Sequence, residues 1–359
     1  MTKKVAIDAS VYREPASGVH LAVRHAVTAE IACLSGKTGV EVYSGLNFPG
    51  AVTLPVPAWA SPPAGRVFWQ QFCLPRLLRK SGVEALHAQA YTLPLRCHLP
   101  TLLNVHDIIA LEAPELCALA NVWQMRLLLP ASIRRATKCL VPTRHVADRL
   151  IAVLGVPAAK IEVAPWGVDY EYFCRPAEAP RTVPKRYFFF VGNIEPKKNL
   201  PLLLEAYSRA AQRSGCALVI AGRAAWKSGP VVQALRSWHG PGEVLWLGRV
   251  EDRELPGLYQ GAQALVMPSL HEGFGLPVLE AMAAGCPVLH SRQPALLEVA
   301  GGASRSFPAD DAEALQRLLE QIATDEALRE ELRSAGQERA RALPWRRWGR
   351  QAAELLLAL

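Results

Sequence analysis

Several features that would define other classes of protein are missing from this sequence of 359 residues. No run of about 18 apolar residues occurs, and a helix needs that length to cross a bilayer. The eight cysteines are scattered without a C-x-x-C pair, which indicates reduced thiols in a cytosolic protein rather than a zinc site or a disulfide framework. No D-x-D triplet occurs, which argues against paired aspartates holding a metal ion. No short-period repeat is visible.

The N-terminus and the charge balance narrow the possibilities further. Asp8 interrupts the N-terminal stretch before a signal-peptide core can form, so a cytoplasmic location is expected. The formal net charge of +8 would suit nucleic acid, an anionic membrane surface or ligands that carry phosphate. Because no nucleic-acid-binding motif accompanies the charge, no nucleic-acid partner is expected.

Length and composition predict two globular α/β domains. Half of the residues are apolar and a fifth are charged, which is enough to form sizeable cores. Strands followed by a loop and a helix recur along the chain, a pattern typical of doubly wound parallel sheets. We predict a first domain over 1–173, a proline-rich linker over 174–184, a second domain over 185–343 and a final helix over 344–359.

The stretch 265–288 carries the most chemistry. It reads as strand, loop, helix and strand, with Pro277 at the expected start of the helix. Glu272 lies in the loop and Glu280 about one turn inside the helix. Backbone N–H groups at 273–275 would face an anion at the helix N-terminus. A carboxylate on each side of a phosphate site suits a nucleoside diphosphate sugar, which has hydroxyls at both ends. By spacing alone, a solvated helix glutamate and a plain turn explain the pattern equally well.

Three further positions are candidates by their place after strands. Lys198 follows the apolar strand 187–191 and could neutralise charge on a phosphate leaving group, although adjacent lysines are ordinarily a solvated surface. His106 follows the strand 101–105 at an edge where sites form, although such a histidine is more often structural. Gly18 lies in the loop after the first strand and could allow close approach of a ligand, or could be a simple turn glycine.

The string Glu272-Gly-Phe-Gly-Leu-Pro-Val-Leu-Glu280-Ala-Met-Ala-Ala-Gly-Cys-Pro-Val resembles the signature of the retaining glycosyltransferases of family 4. The resemblance is strong over 187–300 and looser near the N-terminus. It implies the GT-B fold, in which two Rossmann-like domains face each other across a cleft, and a C-terminal helix that crosses back to the first domain. It implies that the first domain binds the acceptor and the second binds the nucleotide sugar.

The same resemblance assigns residue roles. It implies that Glu272 contacts the transferred sugar, Glu280 the ribose and Lys198 the phosphates, with His106 beside the sugar and Asp107 supporting it. The catalytic residues implied are His106, Glu272 and Lys198. The donor-binding residues implied are Gly18, Gly192, Asn193, Lys198, Gly222, Arg223, Arg249, Val250, Glu272, Gly273, Phe274, Gly275, Leu276 and Glu280. Family members often carry a cation where this chain has Asn193. Fewer cations would therefore contact the phosphates here, or another residue, for instance Arg223, would supply the missing one.

The function implied is transfer of a sugar, with retention and without metal or cofactor, from a nucleoside diphosphate sugar to a hydroxyl of a glycan or lipid-linked acceptor. Likeness to mannosyltransferases of polysaccharide and O-antigen assembly favours GDP-mannose. The alternatives are a nucleotide-sugar epimerase or phosphorylase of the same fold, and a non-catalytic carbohydrate-binding relative. The basic, apolar stretches at 66–80 and 123–138 would suit peripheral contact with the inner face of a membrane or, more simply, ordinary amphipathic helices.

Overall fold

The computed structural model describes residues 3–12, 18–178 and 183–359. The chain divides into two compact units. The first contains the described residues up to Pro114 together with 119–167 and 345–359, and the second contains 115–118 and the described residues of 168–344. The sequence-based boundary after residue 173 lies inside the second unit.

The first unit is built on a parallel sheet of seven strands. The strands are β1 Lys4–Asp8, β2 Gly39–Ser44, β3 Val52–Pro55, β4 Ala85–Ala88, β5 Thr101–Asn104, β6 Lys138–Val141 and β7 Ile161–Val163. Their order in the sheet is β3-β2-β1-β4-β5-β6-β7. The central strands are buried along nearly their whole length, which is why they read as continuous apolar runs rather than as alternating patterns.

Helices flank this sheet, and the last helix of the chain is one of them. The helices of the first unit are α1 Gly18–Leu34, α2 Pro63–Phe68, α3 Leu74–Ser81, α4 Ile109–Glu112, α5 Leu119–Arg135, α6 Arg144–Leu154 and α15 Trp345–Ala358. A π-helical turn, Trp69–Cys73, joins α2 to α3. Helix α15 packs on α1 with Trp348 buried. The prediction that the C-terminal helix belongs with the first domain is confirmed.

The second unit has a parallel sheet of six strands. The strands are β8 Tyr187–Val191, β9 Ala217–Ala221, β10 Val244–Gly248, β11 Ala264–Met267, β12 Val288–Ser291 and β13 Arg305–Phe307. Their order is β10-β9-β8-β11-β12-β13. Counted from β8, this is the 3-2-1-4-5-6 order of a doubly wound dinucleotide-binding sheet, and the direction of winding reverses between β8 and β11.

The helices of the second unit are α7 Tyr170–Cys174, α8 Leu200–Ser214, α9 Gly229–Arg236, α10 Leu255–Gln260, α11 Leu276–Ala283, α12 Pro294–Ala300, α13 Ala312–Thr324 and α14 Glu326–Arg341. Leu203, Tyr207, Leu315 and Leu319 of α8 and α13 pack with Phe188 and Phe190 of β8 in its core. None of the described helices of either unit is long and apolar enough to cross a lipid bilayer.

Candidate functional site

The loops after β8 and β11 meet where the strand order of the second unit reverses. Parallel strands end at one edge of the sheet, and the crevice at such a reversal is where doubly wound folds bind ligands. Lys198 lies in a single helical turn, Pro196–Lys198, after β8, and Glu272 lies in the loop after β11. The Lys198 Nζ atom is 2.5 Å from Glu272 Oε1, and each side chain is only 12% exposed. The structure therefore brings together two of the three predicted catalytic residues.

Hydrogen bonds hold the Glu272 loop in place. The Ser269 hydroxyl donates to Glu272 Oε1 at 2.8 Å, and the Gln293 amide donates to the Glu272 carbonyl at 3.1 Å. The Leu270 N–H donates to the carbonyl of Lys197 at 2.8 Å, which links the two loops directly. Sequence reasoning missed Ser269 and Gln293, although Ser269 directly follows the Pro268 that ends β11 and could have been noted for that position.

Two nearby lysines determine the ionisation state of Glu272. Burial alone would raise the pKa of this carboxyl, but the nearby ammonium groups of Lys198 and Lys197 hold the pKa below its usual value. Glu272 is therefore ionised at neutral pH. The second cation acting on it is Lys197. The side chain of Arg223, suggested by the sequence as a further cation for the donor phosphates, is exposed.

Glu280 has the opposite electrostatic environment. It lies in α11, one turn after Pro277, as predicted, and its Oε2 atom accepts a hydrogen bond of 2.8 Å from the Tyr259 hydroxyl. Burial raises the pKa of Glu280 to about 7, although the bond from Tyr259 works in the other direction. Near neutral pH this carboxyl is thus divided between its neutral and ionised forms, whereas the sequence argument treated it as an ionised acceptor.

Two glycines at this edge occupy positions where a side chain would be crowded or strained. A Cβ atom on Gly222 would lie 1.8 Å from the carbonyl oxygen of Gly192, so no other residue fits there. Gly275 precedes α11 with φ of +98°, and a Cβ atom on it would lie 2.5 Å from Leu296 Cδ2. Both positions were predicted as donor-binding residues, and both have a steric reason to be glycine.

The remaining predicted donor-binding residues of the second unit surround the same edge. Gly273, Phe274 and Leu276 lie in the loop and at the start of α11, with Phe274 buried, and Asn193 follows β8. Arg249 and Val250 follow β10. The Trp246 indole N–H donates to the Gly222 carbonyl at 2.7 Å, which fixes the loop after β9 against β10.

His106 and Gly18, the other predicted residues, belong to the first unit. His106 lies two residues beyond β5, and Gly18 is the first residue of α1. A Cβ atom on Gly18 would meet no atom within 4 Å, so the described structure gives no steric reason for glycine there. Asp107 accepts hydrogen bonds from the Tyr91 hydroxyl at 3.0 Å and from the Ile109 N–H at 3.2 Å.

The His106 ring is enclosed by aromatic side chains. Tyr91 meets it edge-on at 5.1 Å, and Trp166 lies at 5.0 Å between centroids. Burial lowers the pKa of His106 to about 4, against the opposing effects of the Asp107 carboxylate and the Gln89 carbonyl. The imidazole is therefore neutral at pH 7. Its buried Nε2 atom has no hydrogen-bond partner among the described residues, so it can accept a hydrogen bond from a ligand hydroxyl.

Buried polar side chains that the sequence did not identify support this strand edge. The His87 ring contacts Glu30 at 2.8 Å through Nδ1 and Asn104 at 2.9 Å through Nε2, and the Asn104 amide donates to Gln89 at 2.8 Å. Glu30 and His87 are fully buried. Glu30 lies in a helix and His87 in a strand, and the sequence does not indicate that the two would be in contact. Within the described part of the chain, no group of three or more metal-ligating side chains occurs.

Comparisons with known proteins identify the family of this chain. The family model described as glycosyl transferases group 1 matches residues 176–339, and the model described as Glycosyltransferase Family 4 matches residues 25–172. O-antigen chain mannosyltransferase B of Escherichia coli is 30% identical over 268 residues, which cover 72% of this chain and 70% of that one. The chain belongs to the group 1 glycosyltransferases. This glycosyltransferase is an enzyme of the transferase class, as the sequence predicted.

Two further relatives are similar to this chain in sequence. The O-antigen chain mannosyltransferase RfbU of Salmonella typhimurium is 29% identical, over 69% of this chain and 67% of that one. The serotype-specific mannosyltransferase WbdA of Escherichia coli is 26% identical over 72% of this glycosyltransferase, which spans only 34% of the length of WbdA.

Among solved structures, sucrose-phosphate synthase from Thermosynechococcus elongatus has a TM-score of 0.79 at 18% identity, over 99% of this chain and 98% of that one. Anabaena HepE in complex with UDP-glucose has a TM-score of 0.77 at 15% identity, over 99% and 100% of the two chains. At these identities the structures establish the fold of the glycosyltransferase, which is GT-B, as predicted.

Replacing Lys198 with methionine should destabilise the protein, because it leaves the Glu272 carboxylate buried without its main cation. We expect a loss of about 3 kcal/mol in the free energy of unfolding at neutral pH, measured by chemical denaturation. The loss should shrink in acid, because stabilisation of a carboxylate with a lowered pKa disappears as the pH falls through that pKa.

The double variant Lys198→Met with Glu272→Gln should be more stable than Lys198→Met alone. Arg317→Met, which breaks an exposed pair with Glu313, should cost less than about 1 kcal/mol. Equal losses in the single and double variants would show that the buried carboxylate is not the source of the effect.

Proposed function

We propose that this glycosyltransferase moves a sugar from a nucleoside diphosphate donor to a hydroxyl acceptor, with retention of configuration and without a metal ion. The observation that carries the proposal is the ion pair of Lys198 and Glu272 at the strand-order reversal of the second unit. A largely buried ammonium at that edge would suit a phosphate, and the largely buried carboxylate beside it would suit sugar hydroxyls.

In the proposed reaction the bond between the sugar and the leaving phosphate oxygen breaks, and a bond from the sugar to the acceptor oxygen forms on the same face. The acceptor proton passes to the leaving phosphate, which stays beside the acceptor. Lys198, together with N–H groups at 273–275, stabilises the negative charge that develops on that phosphate. Glu272 orients the sugar and remains ionised throughout, because its pKa is held low.

His106 and Glu280 supply the remaining recognition. The neutral His106 ring accepts a hydrogen bond from a hydroxyl of the transferred sugar through its unpartnered Nε2 atom. Glu280 accepts hydrogen bonds from the ribose hydroxyls of the nucleotide. The solved complex of Anabaena HepE with UDP-glucose, a structural neighbour, supports a nucleotide-sugar donor for this fold.

We propose mannose as the transferred sugar, GDP-mannose as the donor and a glycan or a lipid-linked glycan as the acceptor. This choice is supported by the names of the relatives, which include O-antigen chain mannosyltransferases of Escherichia coli and Salmonella typhimurium. We propose a reaction without a resident cofactor, because the nucleoside diphosphate donor already carries the sugar in activated form.

Nucleotide binding tests the donor site directly. Among GDP, UDP, ADP, TDP and their sugars at millimolar concentration, GDP and GDP-mannose should raise the melting temperature of the wild type by several degrees. Glu280→Ala should remove most of this shift because it removes the ribose acceptor, whereas the exposed Glu313→Ala should keep it. Stabilisation by another base would correct the donor, and stabilisation by none would reject the donor site.

Turnover separates catalysis from binding. Glu272→Ala should reduce sugar transfer and donor hydrolysis, both followed by release of the nucleoside diphosphate, by at least roughly a hundredfold. Nucleotide binding should persist, because Lys198 remains. NMR spectroscopy of the product should show the anomeric configuration of the donor. Undiminished turnover in Glu272→Ala would reject the assignment of this residue.

We further propose that the first unit touches the inner, anionic face of the cytoplasmic membrane. Two helical segments present large apolar side chains to solvent: Phe68 and Phe72 are 54% and 47% exposed, and Leu119, Trp123 and Leu127 are 66%, 62% and 68% exposed. Exposed cations lie beside them at Arg76, Arg79, Lys80 and Arg126. Apolar rows edged by basic side chains suit a surface of acyl chains and anionic headgroups.

Co-sedimentation with lipid vesicles tests this contact. The wild type should bind vesicles that contain phosphatidylglycerol better than vesicles of phosphatidylcholine alone, and added salt should weaken binding. The double replacement Phe72→Ser and Trp123→Ser should reduce binding roughly tenfold, since it removes two large apolar side chains. Leu297→Ser is the control: Leu297 lies in the second unit and is 45% exposed, close to the value for Phe72. Unchanged binding in the double variant would reject the assigned surface.

A further inference from the structure

A tyrosine next to Glu280, the proposed ribose carboxylate, has no role in the reaction described so far. The Tyr259 hydroxyl donates to Glu280 Oε2 at 2.8 Å, and Tyr259 is fully buried. The carboxyl of Glu280 receives no other hydrogen bond from the described residues, so Oε1 accepts none. Since Glu280 is only partly buried, Oε1 is the oxygen left for a ligand.

The Tyr259 ring is fixed before any ligand arrives. It lies on α10, and the rings of Phe173 and Phe189 meet it nearly edge-on at 5.9 and 5.4 Å between centroids. Edge-to-face packing of this kind favours one ring orientation. A hydroxyl on a fixed ring restricts rotation of the carboxyl to which it donates, and so narrows the directions in which Oε1 can point.

We propose that Tyr259 is a positioning residue of the donor site, which orients the Glu280 carboxylate so that its other oxygen meets the ribose hydroxyls of the nucleotide. The inference rests on the proposed function, because it assumes that a nucleotide occupies this edge. Tyr259 itself does not touch the ligand, and its effect passes entirely through Glu280.

The hydrogen bond also favours the form of Glu280 that accepts from a diol. Burial raises the pKa of Tyr259 well above its usual value, so this hydroxyl keeps its proton and always donates. Its bond lowers the pKa of Glu280, whereas burial raises it and the Asp252 carboxylate adds a smaller raising effect. Without Tyr259 the carboxyl would therefore hold its proton to a higher pH.

Other titratable or charged groups lie on the elements packed around α11, which are α7, α10 with the turn before it, α12, α14, β11 and β12. They include Glu171, Asp252, Arg253, His290, Glu298 and Arg333, and Cys286 lies in the loop between α11 and β12. Among these, Asp252 is the one that shifts the pKa of Glu280. A change in that pKa on removal of the Tyr259 hydroxyl would thus report on the hydrogen bond.

The test compares Tyr259→Phe with a matched variant, Tyr187→Phe. The Tyr187 hydroxyl is also buried and donates to a carbonyl of α10, that of Leu258, at 2.8 Å, but it does not reach Glu280. Calorimetry measures the affinity of each protein for whichever of GDP, UDP, ADP and TDP binds the wild type most tightly, and for its 2′,3′-dideoxy analogue. Each titration is repeated at several pH values on both sides of about 7.

The wild type should bind the ribonucleotide roughly tenfold more tightly than the dideoxy analogue, as expected for hydrogen bonds to a carboxylate. Tyr259→Phe should lose most of that preference, mainly by weaker binding of the ribonucleotide, and Tyr187→Phe should keep it. Affinity should fall as the pH drops through the pKa of Glu280, and in Tyr259→Phe this fall should occur at a higher pH. Titration of the ligand itself is the same for every protein and cancels in the comparison.

Two results would overturn the proposal in distinguishable ways. If none of the four nucleotides binds the wild type, the proposed function fails and the role of Tyr259 with it. If the wild type binds with a ribose preference and Tyr259→Phe keeps that preference, even with weaker affinity for both ligands, the proposed function stands and Tyr259 is only a structural residue.

Discussion

The parallel arrangement of each sheet is the constraint on which the rest of the structure depends. Because all the strands of a unit run in one direction, all their carboxyl ends lie at one edge, and so do the loops that follow them. In the second unit the order reverses between β8 and β11. The loops that carry Lys198 and Glu272 diverge from adjacent strands there, and the two side chains meet although 74 residues separate them.

Two glutamates eight positions apart in one motif experience opposite electrostatics. Both lose hydration on folding, which raises a carboxyl pKa. For Glu272, the attraction of two lysines in the loop after β8 outweighs the effect of burial, so its pKa is lowered. Glu280 receives only one hydrogen bond from a neutral hydroxyl, and its pKa stays raised, at about 7. The motif sets the position of each glutamate in the loop or in α11, but the charge state of each is decided by residues outside the motif.

The first unit contains a network of buried polar side chains beneath the ends of its strands. Its sheet buries a histidine, a glutamate and two amides beneath the strand ends, and these groups satisfy one another in a continuous network. Above them, His106 stays neutral among aromatic rings with one acceptor atom unused. Since the network groups pair with one another, the buried side-chain atoms of this unit left without a partner among the described residues are His106 Nε2 and the Ser10 hydroxyl. A ligand hydroxyl would satisfy the histidine nitrogen.

Periodicity, turn residues and one long motif by themselves determined much of this protein: two α/β units, the positions of the principal strands and helices, the lysine before α8 and the two glutamates around α11. These are local features, since strands, caps and helix starts depend on neighbouring residues. Only the tertiary structure decided which side chains meet. Tyr259, Ser269, Gln293 and the pairing of Glu30 with His87 carried no local signal, because their partners lie on other elements. The pKa shifts could not be predicted from the sequence for the same reason. Burial and charges on distant segments determine them, and residue spacing along the chain indicates neither.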